Sequence, residues 1–464
     1  MSFEPKILPP LDPDYKPAAL ANRQFRDFIK NSGCAQKIVI ALEQSDGSVS
    51  RYETEIACGE TPLCDSNFYY TERLIKFLLW SRGGYKIYFS GPKELAARLQ
   101  EHYEKSPTGK FDSNLIGEKV YEHPITIVHT TLDEIPQEKT MSNPLGRHWD
   151  GCRVGFDLGA SDRKTAAVID GEVVYTNETV WNPSAQSDPQ YHFDGIMDSI
   201  RQAAAHLPRI DAIGGSSAGI YVNNIVKVAS LFRSVPQDLF NKRVKNLFFE
   251  IKAACGNVPF EVANDGEVTA LAGSMAINDN AVLGIAMGSS EAAGYVTPEG
   301  NITTWLNELA FAPVDYNPKA PVDEWSGDIG CGAQYFSQQA VGRLARKAGI
   351  ELDPKMTLPE ILKHVQSLVS KNDERAIKIF ETIGVYLGYA LAHYADFYQF
   401  KHILILGRVT SGDGGEIILK NAKRVLECEF SELAEKVTLH LPGEKEKRHG
   451  QAVAAASLPV IEKK

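Results

Sequence analysis

No C-x-x-C pair occurs in the chain, and its seven cysteines (34, 58, 64, 152, 255, 331 and 428) are scattered and odd in number. That spacing supports neither a zinc knuckle nor a disulfide framework and reads as reduced, mostly buried thiols. No apolar run reaches the length of a membrane-spanning helix, and Met1-Ser-Phe-Glu-Pro does not open a signal peptide. No basic stripe stands out either. The 49 Lys and Arg are outweighed by 59 Asp and Glu, a net charge of −10, which argues against a nucleic-acid footprint. The expectation is a soluble, cytoplasmic protein with no membrane or nucleic-acid partner.

What is there is globular: 464 residues, 43% hydrophobic and 23% charged, too long for one ordinary core. Residues 1–20 form a Pro-rich arm, expected to be extended. Residues 21–131 read as a small α/β unit. Strands at 37–42 and 49–57 flank a Ser45-Asp-Gly-Ser hairpin, and helix 68–80, strand 85–89, helix 92–103 and strand 125–129 follow. Residues 132–150 read as a linker. A second unit begins at Cys152 and repeats the order of strand, hairpin, strand, helix, strand. That parallel suggests an internal duplication in which the first copy, Ala41-Leu-Glu-Gln-Ser, has lost its glycine turn. The expected lobes are 151–272 with about 450–464, and 273–449. Alternating strands and helices favour open sheets, with sites at the carboxyl ends of strands.

Four segments fall in the order a two-lobed phosphoryl-transfer enzyme needs. In Val154-Gly-Phe-Asp-Leu-Gly-Ala-Ser-Asp-Arg-Lys164, Gly159 clears the way for a phosphate tail and Asp157 can hold a hydrated Mg²⁺. In Pro259-Phe-Glu-Val-Ala-Asn-Asp-Gly266 a strand ends as a helix begins. Asn264-Asp265 is there either a helix cap or, with Asp265 as general base and Asn264 on neighbouring hydroxyls, part of an acceptor site. Gly288, Ser289 and Ser290 sit in a second hairpin turn, either a plain turn or a phosphate loop facing the first. Gly407, Gly412, Gly414 and Gly415, after an apolar strand, suit a backbone pocket for adenine and ribose.

Together these motifs resemble the actin-like sugar-kinase and heat-shock ATPase fold. Their order and spacing are most similar to the ROK family of glucokinases, N-acetylhexosamine kinases and sugar-responsive repressors. Ile213-Gly-Gly-Ser-Ser-Ala-Gly219, Asn307-Glu308-Leu309 and His449-Gly-Gln-Ala-Val-Ala-Ala-Ala456 add to the likeness, which covers roughly 150–464. The resemblance implies an α/β, two-lobed actin-like (RNase H-like) ATPase fold with an extra N-terminal α/β domain. It also implies an ATP- and Mg²⁺-dependent kinase acting on a hexose or hexose derivative, with a sugar and ATP as its small-molecule partners and a homodimer as a candidate assembly. It places Asp157, the turn Gly159-Ala160-Ser161 and Lys164 near Mg-ATP, Asp265 as base, and Asn264, Glu308, Ser217 and Gly219 at the sugar. Lys164 is equally well an exposed hairpin lysine. The family's His and Cys₃ zinc cluster is missing: only Cys331 remains, Ala310-Phe311 stands where the histidine would, and no zinc is expected. Glu291 follows the second turn and would repel a phosphate if it faced one. The alternative is a non-catalytic sugar or nucleotide sensor of the same fold. A DNA-binding regulator is third, since no basic recognition helix is present.

Overall fold

The computed structural model describes residues 4–58, 63–140, 144–441 and 450–462. At the N-terminus, helix α1 (Ala18–Ser32) precedes the hairpin β1 (Ala35–Glu43) and β2 (Val49–Ala57). Helix α2 (Leu63–Arg82), β3 (Lys86–Ser90), α3 (Lys93–Lys105), α4 (Pro107–Asp112) and β4 (Thr126–His129) follow. The sheet order is β2-β1-β3-β4. The repeated element order does not extend to pairing. β3 runs antiparallel to β1, whereas the corresponding strands of the next unit are parallel, so the suggested duplication is not carried by the sheet.

That next unit, the first lobe, holds β5 (Cys152–Leu158), β6 (Asp162–Ile169), β7 (Glu172–Val180), β8 (Ala212–Ser217) and β11 (Phe260–Asn264) in the order β11-β8-β5-β6-β7. β5, β8 and β11 are parallel, and β6 and β7 complete an antiparallel meander. β9 (Ile220–Val222) and β10 (Ile225–Val228) form a separate hairpin beside it, with α5 (Pro189–Ala204), α6 (Gln237–Leu239) and α7 (Leu247–Ala254) around the sheet. β5 is buried at every position, the pattern of a central strand covered on both faces.

Helix α8 (Asp265–Ile277) leads from β11 into the second lobe. There β12 (Val282–Met287), β13 (Glu291–Val296), β14 (His402–Leu406) and β15 (Thr438–His440) are ordered β13-β12-β14-β15. α9 (Gln338–Lys347), α10 (Leu358–Val369), α11 (Glu374–Tyr394), α12 (Asp413–Glu429) and α13 (Ser431–Ala434) pack around this sheet. The chain then returns as α14 (Gly450–Ala456), laid on the first-lobe sheet. A Cβ at Gly155 would stand 1.8 Å from Ala452 O, and one at Gly214 1.7 Å from Ala455 O. The alanine run and the strand glycines are two halves of one close contact. His449, the first residue of the terminal motif, lies outside the described residues.

The N-terminal sheet is not a separate body. One apolar cluster runs from Ile38, Leu79 and Trp80 through Leu283 and Ile285 to Ile383 and Tyr386. The Pro-rich arm is a strap on α11: Ile7 N donates to Tyr389 Oη at 3.4 Å, Leu11 N to Thr382 Oγ1 at 3.2 Å, and the buried Tyr15 ring packs at a tilt against Tyr335, Tyr386 and Tyr389. Within 132–150, Lys139 bridges to Val49 and Leu145 to Ile302. Among the described residues no helix is long and apolar enough to cross a membrane.

Candidate active site

Parallel pairing brings three strand ends into one row. Asp157 stands opposite Ser216, which stands opposite Ala263; the next row is Leu158, Ser217 and Asn264. Two strand spacings, about 10 Å, therefore separate the Asp157 position from the end of β11. Ser216 Oγ donates to Asp157 Oδ1 at 2.7 Å, and Lys164 Nζ lies 3.5 Å from Asp157 Oδ2 and 2.8 Å from Asp162. Burial raises the proton affinity of Asp157, with Ser216 and Lys164 opposing it. Lys164 is itself held above the ordinary lysine value because Asp162 and Asp157 outweigh its burial. It is thus tied into the site's ion pairs rather than free at the hairpin.

The first turn is closed on itself. Gly159 N donates to Asp162 O at 2.9 Å, while Trp181 Nε1 donates to Gly159 O at 2.8 Å and Trp181 N to Ser161 O at 3.1 Å. Ala160 and Ser161 form its exposed tip. The second turn is built alike: Gly288 N donates to Ser290 O and Gln338 N to Gly288 O, both at 2.9 Å, and Ser289 and Ser290 are exposed. Glu291 does not face this tip. It is buried at the head of β13, where Tyr394 Oη donates to its Oε1 at 3.4 Å and Gly332 packs against its other oxygen. Burial, with Glu308 adding, pushes its carboxyl up to about 8.

Asn264 caps α8: its Oδ1 accepts from Gly266 N at 2.7 Å, and its Nδ2 donates to Gly219 O at 2.7 Å. Both amide atoms are therefore engaged within the protein, and they fix Gly219, whose φ of 136° and crowded Cβ position suit only glycine. Asp265, first residue of the helix and half-buried, accepts from Gly266 N at 3.0 Å through Oδ1. Burial and then the charge of Asp157 push its carboxyl up to about 6. Glu308, also partly buried, is pushed to about 7 by burial and by Asp265, and its backbone N donates to Trp80 O at 2.9 Å. Ser217 is buried and its Oγ shares a 2.7 Å hydrogen bond with Tyr221 Oη.

Two further groups belong to this set and were not picked out in the sequence. Glu267, fully inside, is pushed up to about 8 by burial, accepts from Tyr295 N at 3.2 Å and is bonded by Asn307 Nδ2. Asn307 in turn accepts from Tyr398 Oη at 2.7 Å. Their only sequence signal was adjacency, Glu267 one helical turn beyond Asn264 and Asn307 directly before Glu308. Charge coupling thus links Asp157 to Asp265, Asp265 to Glu308, and Glu308 to Glu267 and Glu291.

The glycines of the fourth segment serve different ends. Gly407 (φ 95°) lets the β14 loop abut the end of β12, since a Cβ there would fall 2.4 Å from Met287 O. Gly412 (φ 67°) opens α12 with clear space around it, whereas Gly414 is buried against the Phe380 ring and spaces α12 from α11. Cys331 is buried and its thiol is pushed up to about 12 by burial, which disfavours the thiolate a metal needs. Among the described residues no group of three or more His, Cys, Asp or Glu is gathered for a metal ion.

Two cavities flank the base of α8. One of about 400 Å³ is lined by Asp265, Thr269, Leu404, Leu406, His440 and Gln451. The other, about 100 Å³, meets Gly219, Asn264, Glu267 and Trp305 on one side and the N-terminal turn Gln44–Asp46 on the other.

No protein-family model and no curated protein matches the chain. Solved structures do. The ROK hexokinase from Thermus thermophilus superposes with a TM-score of 0.52 at 16% identity, covering 66% of this chain and 96% of that one. A ROK family transcriptional regulator, described as a homolog of the E. coli MLC protein, gives 0.51 at 18% identity, covering 71% and 83%. The fold is that of the ROK proteins. This two-lobed, actin-like ATPase architecture is common to a kinase and a regulator, so the likeness speaks for the scaffold and not for turnover.

Proposed function

We propose that the chain is an ATP-dependent kinase acting on a hexose or hexose derivative, with Asp265 as general base. The observation that carries this reading is the state of Asp265. It sits at the carboxyl end of a parallel sheet, partly exposed to a cavity, with a proton affinity raised to about 6, close to what a base working near neutral pH requires. It would take the proton of the acceptor hydroxyl. Asn264, Ser217, Gly219 and Glu308 would bound the acceptor beside it.

The donor set suits a hydrated divalent cation. Asp157 is close enough to Asp265 to raise that residue's cost of ionisation, and Lys164 is the cation paired with Asp157. Asp157 would hold Mg²⁺ through water, and Lys164, with Ser216, opposes the effect of burial on that carboxylate. Bound Mg-ATP supplies the transferable phosphoryl group. The exposed tips Ala160-Ser161 and Ser289-Ser290 would offer backbone N–H and hydroxyl donors to phosphate oxygens, with Gly159 and Gly288 closing the two turns and Gly407 and Gly412 beside the nucleoside. Gly414 has no such part, being packed against Phe380.

A second reading, a sugar sensor without turnover, draws on the narrow cavity at Asn264, which is smaller than the ~300 Å³ typical of small-molecule sites. An ADP-release screen with Mg²⁺ against hexoses and amino sugars separates the two. Sugar-stimulated release supports the kinase; sugar binding without release supports the sensor.

A further inference from the structure

The smaller cavity has three walls, and one does not come from either lobe. The first lobe contributes Gly219, Tyr221, Glu261 and Asn264; the stretch Ile302–Leu306 contributes Trp305; and the N-terminal sheet contributes the Gln44–Asp46 turn and Tyr121. The third wall is pinned on both sides. Gln44 Nε2 donates to Arg82 O at 2.7 Å and to Thr304 O at 3.3 Å, and Thr304 Oγ1 returns a bond to Gln44 Oε1 at 3.3 Å. Glu122, next to Tyr121, pairs with Lys227 at 3.0 Å and Lys245 at 2.5 Å on the first lobe. The Asp46 carboxylate is aimed by Ser48, whose N and Oγ donate to it at 2.8 and 3.0 Å.

No positive charge lines this cavity: its ionisable groups are the phenols of Tyr121 and Tyr221 and the carboxyls of Asp46, Glu261 and Glu267, of which burial holds Glu267 protonated at neutral pH, and no lysine or arginine is among them. Arg82, the cation stacked 3.3 Å over the Trp305 ring, is buried and donates to Phe397 O; Lys252 lies near Glu261 but outside the lining. An anionic ligand would be desolvated beside carboxyl groups with nothing to compensate it. Hydroxyl and amide groups of Ser45, Asn223, Asn264, Thr303 and Thr304, with Trp305 and Tyr221 beside them, suit a polyol.

We propose that the N-terminal sheet supplies the third wall of the acceptor site and that Asp46 restricts that site to neutral or cationic polyols, excluding phosphorylated and carboxylated sugars. This rests on the kinase reading in taking as part of the acceptor site the cavity that Gly219 and Asn264 line; Asp265, the residue after Asn264, lines the larger cavity on the other side of the α8 start. Asp46 is a specificity residue, and Glu122 is a positioning residue that holds its wall against the first lobe.

The test titrates full-length protein with glucose, mannose and galactose, with the uronate of each, and with glucosamine, following the tryptophan emission lost in a Trp305→Phe control. ADP release is read in parallel. Each uronate should bind at least about tenfold more weakly than its parent hexose, and glucosamine at least as well as glucose. Asp46→Asn should narrow the hexose-to-uronate ratio, and Asp46→Lys should invert it. Glu122→Gln should weaken acceptor binding with a loss that added salt reproduces in the parent protein. Hexose binding and ADP release without charge discrimination, or an unaltered ratio in Asp46→Asn, would overturn this inference while leaving the kinase reading intact. If no sugar perturbs Trp305 or stimulates ADP release, both fall.

Discussion

The charge of Asp157 raises the proton affinity of Asp265 across two strands of the first-lobe sheet. The relationship follows from parallel pairing. β5, β8 and β11 end in register, so the Asp157 carboxylate near the end of β5 and the Asp265 carboxylate just past the end of β11 lie at the same end of the sheet. Neither residue alone has that property. On the kinase reading proposed above the pair would divide its work: Asp157, beside Lys164, would serve the nucleotide, and Asp265, beside Asn264 and Glu308, the acceptor.

The first consequence concerns Asp265→Asn. The amide keeps the helix start and the Gly266 contact but cannot take a proton, so turnover should fall by about 10²–10⁴ while nucleotide binding persists. On the kinase reading, kcat/KM of the parent protein should fall as pH drops through about 6, because a protonated Asp265 could not serve as base. That acid limb should disappear from the residual activity of the variant. Turnover equal to the parent's would remove Asp265 from the role of base.

Glu291 titrates in a different sense. Its folded-state carboxyl is pushed from an ordinary 4.5 up to about 8, so the folded protein keeps a proton that the unfolded chain gives up earlier. Stability is therefore greatest below the unfolded value and is lost as pH rises from about 4.5 to about 8. Glu291→Gln removes the titration, and should raise stability by roughly 2–4 kcal/mol at neutral pH and above, with little gain in acid. Melting temperature against pH reads this directly. Parallel profiles for the two proteins would contradict the burial argument.

The sequence made the strands and their ends legible because its glycines and acidic residues cluster where strands stop. Asp157, Asp265 and the two hairpin turns could be placed from those signals. Side-chain direction could not be read. Glu291 follows the second turn in sequence and would oppose a phosphate if it faced one, yet strand alternation and the space left by Gly332 turn it into the core of the second lobe. Gly414 looked like part of a nucleotide loop, yet Phe380 occupies the space beside it. α1 was hidden behind the Pro-rich arm, and the pairing of Glu267 with Asn307, which lies in a segment quoted for its Glu308, had no local signal because it joins residues 40 positions apart. The docking of the N-terminal sheet onto the second lobe is a long-range fact with no local signature.

The contact between α14 and the first-lobe sheet sets a third expectation. Gly155→Ala would put a methyl group 1.8 Å from Ala452 O, and neither a central strand nor a helix backbone can yield that far without losing its own hydrogen bonds. A loss of at least about 3 kcal/mol is expected, against the ~1 kcal/mol stabilisation that replacing glycine by alanine gives at an unhindered position. Chemical denaturation measures it, with Gly256→Ala as the comparison. Gly256 has open space around its Cβ but φ 78°, so its own penalty reports backbone strain alone.

The last expectation comes from the ion cluster that joins the N-terminal helices to the second lobe. Lys76 is fully buried on α2, 3.1 Å from both oxygens of Asp112 and 3.0 Å from Asp328. Arg73 reaches Asp328 at 2.9 Å, and Trp80 Nε1 donates to Asp112 at 3.0 Å. Arg73 and Lys76 overcome burial to hold the Asp328 carboxyl at about 2, whereas burial keeps Asp112 above its ordinary value. Lys76→Met strips Asp112 of its cation, and should cost about 3–5 kcal/mol at neutral pH because a buried carboxylate is left unpaired. Protonation of Asp112 relieves that cost, so the difference from the parent should shrink as pH falls. Because Ile38 and Trp80 share one apolar cluster with Ile285 and Ile383, the loss should appear as an earlier joint transition of the N-terminal sheet and the second lobe. Separate melting of the N-terminal unit, followed by a second lobe of parental stability, would show that the shared core does not couple them.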